Sequence, residues 1–212
     1  MNNVNGPTLE NDGFEVIDRS IFWPSETSMN AAKKRVLSLA QSYELKFDQP
    51  GCVRRYLDDK RFLSVVSGWL LNPIFENMMT SYFRSNELAI NFIRYREPKA
   101  QAGLQSWHID WKENHRRQRI EVFIALDDTH EANGCTQIKF SAGDSIYYAA
   151  MSAGSVLVMD STIEHRGGLN KSGRPRRLLD IQIALYETLP NDQYVAKYPF
   201  KPPPSTHFHF VE

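Results

Sequence analysis

The feature that most constrains the fold is the pattern of apolar residues from Leu88 onward, which has the period of two that is typical of β-strands. It is clearest at 177–186, where apolar and polar side chains alternate as in a sheet with one buried face. No alternation of strands with helices follows, so an antiparallel sandwich or barrel is predicted. The candidate strands are 89–96, 107–110, 120–126, 136–140, 155–160 and 177–186.

The residues before Leu88 have mainly the longer period of helices. A helical pattern at 27–45 places a set of apolar side chains on one face: Val36, Leu39, Ala40 and Tyr43. Further helices are predicted at 58–71 and 73–83, where Pro73 suits the first turn because that turn needs no N–H from it. The predicted fold class is therefore mainly β, packed on one side by N-terminal helices.

We expect one domain over residues 1–212, because this length suits a single hydrophobic core. Its first part, 1–12, is polar and rich in Asn, and is predicted to be a disordered lead-in before order begins at Gly13. Residues 13–87 form the mainly helical support, which opens with a short strand at 14–17. Residues 88–186 form the β core, and the Pro-rich residues 187–212 form a tail.

Composition excludes several classes of function. Lys and Arg together number 25, as do Asp and Glu, so neither nucleic acid nor an anionic membrane is expected as a partner. No segment approaches 18 consecutive apolar residues, and the N-terminus lacks the features of a signal peptide. Cys52 and Cys135 are too few for a disulfide scaffold, so we expect a soluble cytoplasmic protein with reduced thiols.

Three residues have the chemistry of a metal site. His108 and Asp110 are separated by one residue in an extended segment, so their side chains point to the same face and can share one metal ion. An HxD pair alone is a weak signal, but His165 follows a buried strand and can complete the set. Two imidazoles and one carboxylate on one face of an octahedron leave three positions open, which favours non-haem Fe(II). A bidentate 2-oxo acid and dioxygen can occupy the open positions.

A 2-oxo acid with a second carboxylate needs an anchor for it, and a guanidinium offers paired donors with a fixed charge. Arg176 is the candidate, because it follows His165 through a turn rich in Gly and begins the next predicted strand. A hairpin of this kind would return Arg176 alongside His165 on the neighbouring strand. Arg174 and Arg177 remain alternatives, since a shift of register would turn either one inward.

In their order and spacing, these motifs resemble the phytanoyl-CoA dioxygenase family of Fe(II)/2-oxoglutarate oxygenases. The resemblance covers residues 13–186, approximately. Its landmarks are Asp12-Gly13-Phe14, Gln105-x-x-His108-x-Asp110-Trp111, Ala125-Leu126-Asp127-Asp128 with Asn133-Gly134, Gly154-Ser155-Val156-Leu157-Val158-Met159-Asp160, and His165-Arg166-Gly167-Gly168-x-Asn170-x-Ser172 followed by Arg176.

The resemblance implies a double-stranded β-helix, or jelly roll, with the three metal ligands at its mouth and Arg176 inside it. It implies that Phe123 lines the oxoglutarate pocket and that Gln105 contacts the cofactor or iron-bound groups. The chain departs from the family at 140–143, where many members have Pro-Gly-Ser-His, and at Gly167, where several have a Ser that helps to hold oxoglutarate. Halogenating relatives lack the carboxylate ligand, so the presence of Asp110 implies oxygen chemistry with release of succinate and CO2.

We expect a hydroxylase or related oxidase that acts on a small molecule, in secondary metabolism. Two alternatives remain open, a jelly-roll protein that binds metal or 2-oxo acid and has lost turnover, and a protein or peptide hydroxylase. The cationic segment 112–119 is a lid over an anionic substrate or, more simply, a solvated loop. Asp160 is an orienting partner of His165 or a turn residue. His207 and His209 have the spacing of a ligand pair but lack a third ligand nearby.

Overall fold

The computed structural model describes residues 6–42, 46–49, 52–56, 70, 72–112, 115–140, 145–189 and 196–199; at 46–49, 54–56 and 196–199 it describes the backbone alone. Nearly all of the helix predicted at 58–71 lies outside these residues, as do His207 and His209. None of the helices in the described ranges is long and apolar enough to cross a membrane.

The described strands form two antiparallel sheets. The strands are β1 (Phe14–Ile17), β2 (Lys46–Gln49), β3 (Cys52–Tyr56), β4 (Glu87–Pro98), β5 (Arg119–Ala125), β6 (Thr136–Lys139), β7 (Ile146–Ala149), β8 (Val156–Asp160), β9 (His165–Gly167), β10 (Leu178–Leu185) and β11 (Ala196–Pro199). The larger sheet has the order β1-β8-β5-β10-β4-β3-β2, with β11 also paired to β4. The smaller sheet has the order β7-β6-β9. This architecture confirms the predicted fold class, a mainly β jelly roll.

Helices occupy much of the chain before β4. They are α1 (Leu9–Asp12), α2 (Arg19–Phe22), α3 (Glu26–Gln41) and α4 (Pro73–Phe83). Ser25 caps α3 by accepting a hydrogen bond from the N–H of Ser28. Asn72 caps α4, whose bounds are those predicted, with Pro73 in the first turn.

Strand β10 of the larger sheet lies between two apolar layers. On β10, Leu179, Ile181 and Ile183 pack in the layer between the sheet and the helices. On the opposite face, Leu178 packs with residues of the smaller sheet such as Ile138. The alternation in the sequence therefore determines which side chains point into the barrel between the two sheets.

The observed elements differ from the prediction at several places. Order begins before Gly13, because Leu9 is buried in the core and its helix is fastened by hydrogen bonds between Thr8 and Asp12. Strands β2 and β3 occur in a region predicted to be helical, and β7, β9 and β11 were not predicted. The segment 107–110 makes a single β-bridge, at His108, instead of a strand.

Candidate metal centre and cosubstrate cleft

The three predicted metal ligands converge at one point. The candidate ligand atoms of His108, Asp110 and His165 all lie within 4.8 Å of one another. One carboxylate oxygen of Asp110 is 3.3 Å from Nε2 of His165, and the other is 3.8 Å from Nε2 of His108. This donor set, drawn together from distant parts of the chain, is the one that suits a non-haem Fe(II) ion.

Backbone hydrogen bonds hold the two histidines side by side. His108 and His165 exchange N–H···O bonds of 3.0 and 2.9 Å across an isolated antiparallel bridge. The Nδ1 atom of each ring lies 2.9 or 3.0 Å from the carbonyl oxygen two residues earlier, at Ser106 and Ile163. Because a carbonyl oxygen only accepts, each Nδ1 carries a hydrogen, and each Nε2 lies on the side of Asp110.

The local electrostatics favour the forms of these side chains that bind metal. Burial lowers the pKa of His108, which favours the neutral imidazole. Burial alone would raise the pKa of Asp110, but the hydrogen bond and the charge of His165 outweigh it, so the pKa of Asp110 is lowered. The neutral imidazole of His108 and the ionised carboxylate of Asp110 are the forms that bind a divalent cation.

Arg176 lies in a cleft next to this cluster. The cleft is lined by His165, Phe123, Leu178 and Arg176, among others. Only 4% of Arg176 is exposed, and its Nε and Nη1 atoms have no hydrogen-bond partner among the residues that the structure describes. Burial lowers the pKa of Arg176 to about 10, so the guanidinium stays charged at neutral pH. Buried donors without partners cost free energy, and a carboxylate entering the cleft would satisfy them.

The predicted hairpin between His165 and Arg176 is wrong. Strand β9 pairs with β6, whereas β10 pairs with β4 and β5 in the other sheet. The Arg176 N–H donates to the carbonyl oxygen of Pro98 at the end of β4, and the connection is fastened by Asn170, whose amide donates to the carbonyls of Lys99 and Arg174. A Gly-rich turn predicts that the chain reverses, but not which sheet the next strand joins. Arg176 therefore enters the cleft from the larger sheet.

The other two predicted cofactor residues also line the cleft. Gln105 accepts a hydrogen bond from the N–H of Gly167 at 2.7 Å, and a Cβ added to Gly167 would lie only 2.8 Å from the same oxygen. Glycine at this position thus leaves room for the Gln105 amide. Phe123 is 2% exposed and packs between the sheets, so its ring belongs to the core and to the cleft wall at once. The chain's other departure from the family pattern is at 140–143. Of these residues, 141–143 lie outside the described ranges.

The competing arginines have other positions. Arg177 donates from two nitrogens to Asp127, at 2.6 Å each, and Arg174 is exposed. Of the three arginines, Arg176 is the one that lines the cleft.

Asp160 does not orient His165. Its carboxylate accepts hydrogen bonds from the Tyr82 hydroxyl at 2.6 Å, from the backbone N–H of Arg117 at 2.7 Å, and from Thr162. Asp160 therefore ties α4 and the charged segment to the end of β8.

The charged segment 112–119 makes structural contacts, as far as it is described. Arg116 donates to the Glu10 carbonyl, and Arg117 pairs with the Glu10 carboxylate. Arg119 is buried, with its guanidinium carbon 3.6 Å from the centre of the Trp111 ring. In the described residues these cations fasten the N-terminal helix and an aromatic ring, a structural role that differs from both the predicted solvated loop and the predicted lid.

Sequence reasoning missed a set of charged and polar side chains that point into the barrel. They are Arg94 and Arg96 on β4, Glu121 on β5, and Asp180 and Gln182 on β10. The signal was present, because each occupies the same face of its strand as an inward apolar residue such as Phe123 or Leu178. Burial, together with the charges of Asp180 and Asp110, raises the pKa of Glu121 well above its usual value.

A comparison with known families identifies the family of the chain. The phytanoyl-CoA dioxygenase family matches residues 12–139, which is more than half of the chain. No curated protein sequence matches the chain.

Several solved structures share the fold at low sequence identity. AviO1 from Streptomyces viridochromogenes Tue57 is 18% identical, with a TM-score of 0.65 over 86% of this chain and 94% of that one. SnoN, a non-haem alpha-ketoglutarate-dependent epimerase from nogalamycin biosynthesis, is 12% identical, with a TM-score of 0.69 over 88% and 94%. HygX from Streptomyces hygroscopicus, solved with nickel, 2-oxoglutarate and hygromycin B, is 10% identical, with a TM-score of 0.64 over 84% and 85%.

The solved structures show that the chain shares their fold, and the match to the family over residues 12–139 shows which family it belongs to. The chain belongs to the phytanoyl-CoA dioxygenase family, whose members are 2-oxoglutarate-dependent non-haem iron enzymes.

Proposed function

We propose that this protein is an Fe(II)- and 2-oxoglutarate-dependent dioxygenase that hydroxylates, or otherwise oxidises, an unactivated C–H bond of a small molecule. The observation that carries the proposal is the His-Asp-His cluster beside a cleft that contains a buried guanidinium with unsatisfied donors. Family membership supports the same chemistry.

In this proposal, His108, Asp110 and His165 hold the iron. The Nδ1–H bonds to Ser106 and Ile163 keep both imidazoles in the tautomer that presents Nε2, so the rings need no reorientation when the metal binds. When bound, iron and 2-oxoglutarate together supply the activation of dioxygen, with release of succinate and CO2.

The remaining residues of the cleft bind and orient the cosubstrate. Arg176 pairs with the carboxylate of 2-oxoglutarate that lies far from the 2-oxo group. Phe123 and Leu178 provide an apolar wall that excludes water along the aliphatic part of the molecule. Gln105 is a polar contact whose amide is held by the backbone of Gly167.

A small molecule from natural product biosynthesis is the substrate class we infer. SnoN and HygX, which share the fold, are described with nogalamycin biosynthesis and with bound hygromycin B. The partly exposed His108 and Asp110 leave the metal side of the site accessible from solvent, as an incoming substrate requires.

The first test is anaerobic binding. The purified protein with Fe(II) and 2-oxoglutarate is expected to show the weak visible charge-transfer band of iron chelated by a 2-oxo acid. His108→Ala should abolish the band, and Arg176→Leu should raise the 2-oxoglutarate concentration for half-saturation by about ten- to a hundredfold, since a buried charged hydrogen bond is lost. His130→Ala, at an exposed histidine, is the matched control and should behave as wild type. A full band in His108→Ala would refute the proposal.

The second test separates turnover from binding alone. Succinate release that depends on oxidation of a small molecule is expected in a panel of biosynthetic intermediates. A protein that binds 2-oxoglutarate but releases succinate with none of them would be a binding or sensing protein, and oxidation confined to peptides would identify a peptide hydroxylase.

A further inference from the structure

Arg96 places a second guanidinium in the cosubstrate cleft. It lies on β4, where it is paired across the sheet with Leu178 of β10, and both residues line the cleft with Arg176. The Nε atom of Arg96 is buried without a hydrogen-bond partner among the described residues. Its side chain is 12% exposed, so most of its charge has been removed from water.

The acidic groups nearby neutralise Arg96 only in part. One oxygen of Asp180 accepts from Arg94 at 2.8 and 3.1 Å, while Arg96 approaches the same oxygen at 3.4 Å. Asp180 is thus mainly the partner of Arg94. Glu121, the other acid on this wall, is fully buried and has a raised pKa, which favours its neutral form. The wall therefore carries positive charge in excess, which suits an anionic ligand.

Arg96 lines the same cleft as Arg176 and the candidate metal ligand His165. The backbone N–H of Arg176, two residues before β10, bonds to Pro98, two residues after Arg96, so the two guanidiniums enter the cleft from adjacent backbone segments. The positive charge of Arg96 contributes to lowering the pKa of Arg176. It also contributes to lowering the pKa of His108 and the pKa of Asp110.

We propose that Arg96 binds the carboxylate adjacent to the 2-oxo group of the cosubstrate, while Arg176 binds the far carboxylate. This inference rests on the proposed function, since it assigns the two charges of a 2-oxo diacid to two different guanidiniums. A buried cation beside the first carboxylate neutralises charge that would otherwise be held in a poorly solvated cleft.

A comparison of two 2-oxo acids tests the assignment. 2-Oxopentanoate has the same 2-oxo acid end as 2-oxoglutarate but lacks the far carboxylate. With Fe(II) protein under anaerobic conditions, Arg96→Gln is expected to weaken the binding of both acids by the same factor, about tenfold. Arg176→Leu is expected to weaken 2-oxoglutarate and to leave 2-oxopentanoate nearly unchanged. Arg177→Gln, at an arginine outside the cleft, is the control and should change neither.

The outcomes separate the two proposals. A loss for 2-oxoglutarate alone in Arg96→Gln would place Arg96 at the far carboxylate and overturn the assignment, as would no loss for either acid. If Arg96→Gln does not fold, as shown by thermal unfolding, Arg96→Lys takes its place. An equal loss for both acids then supports the assignment, and any other pattern overturns it. Failure of the wild-type protein to bind either acid would instead refute the proposed function.

Discussion

Gly167 is a residue at which one additional methyl group would disturb the cosubstrate cleft. Its missing side chain leaves the space that Gln105 fills, and its N–H holds the Gln105 amide. A Cβ would lie 2.8 Å from that amide oxygen, which is closer than van der Waals contact permits. The two residues should therefore be energetically coupled, since neither can change without affecting the other.

We predict that Gly167→Ala weakens 2-oxoglutarate binding several-fold by displacing Gln105. In a Gln105→Ala background the same change should have almost no effect, because the space is then empty. A double-mutant cycle on the dissociation constant should give a coupling free energy of about 1–2 kcal/mol. Additive effects of the two changes would show that the contact does not influence the cleft.

Between elements, the loop before β6 meets the segment after β9 at a pair of glycines. Gly134 precedes β6 and has a φ of +79°, and an added Cβ would collide with the carbonyl oxygen of Gly168 after β9. The backbone bridge between Asn133 and Asn170 joins the same loops. Because β9 carries His165, this crossing helps to fix a candidate metal ligand, which gives the Asn-Gly and Gly-Gly motifs a structural reason.

Gly134→Ala is expected to lower the free energy of unfolding by at least about 2 kcal/mol, from the positive φ and the collision together. Gly173→Ala is the matched control, because a Cβ at Gly173 meets no atom within 4 Å. Its effect should stay within about 0.5 kcal/mol. Urea denaturation of both variants measures the difference, and equal losses would contradict the role of the crossing.

For the whole molecule, Asp127 joins the helical layer to the larger sheet. Its carboxylate, at the end of β5, accepts from Arg177 at the start of β10 and from Lys33 on α3. Burial opposes the charge of Asp127, but the hydrogen bond and charge of Arg177 outweigh it and lower the pKa. A lowered pKa means that the folded state favours the ionised form more than the unfolded chain does.

The stability that comes from Asp127 should therefore be present above the unfolded pKa of about 4 and be lost as the pH falls through the lower folded value. Asp127→Asn should lower the free energy of unfolding by about 1–3 kcal/mol at pH 7. The difference from the wild type should shrink as the pH falls below about 4. Chemical denaturation across this range measures it, and a difference independent of pH would contradict the prediction.

The sequence by itself determined the local elements and the identity of the cluster. Strand β1 and helix α4 have their predicted bounds, because periodicity and a Pro in the first turn are local properties of the chain. The spacing of His108 and Asp110 and the position of His165 likewise identified the three side chains that converge.

Only the tertiary structure decided which strands pair and what the barrel encloses. It placed Arg176 just before β10 of the larger sheet instead of on a strand paired with β9, and it turned Arg96 and Glu121 inward. The physical reason is that side-chain periodicity reports the local backbone and the face that is buried, whereas strand pairing depends on the free energy of all the packed layers at once.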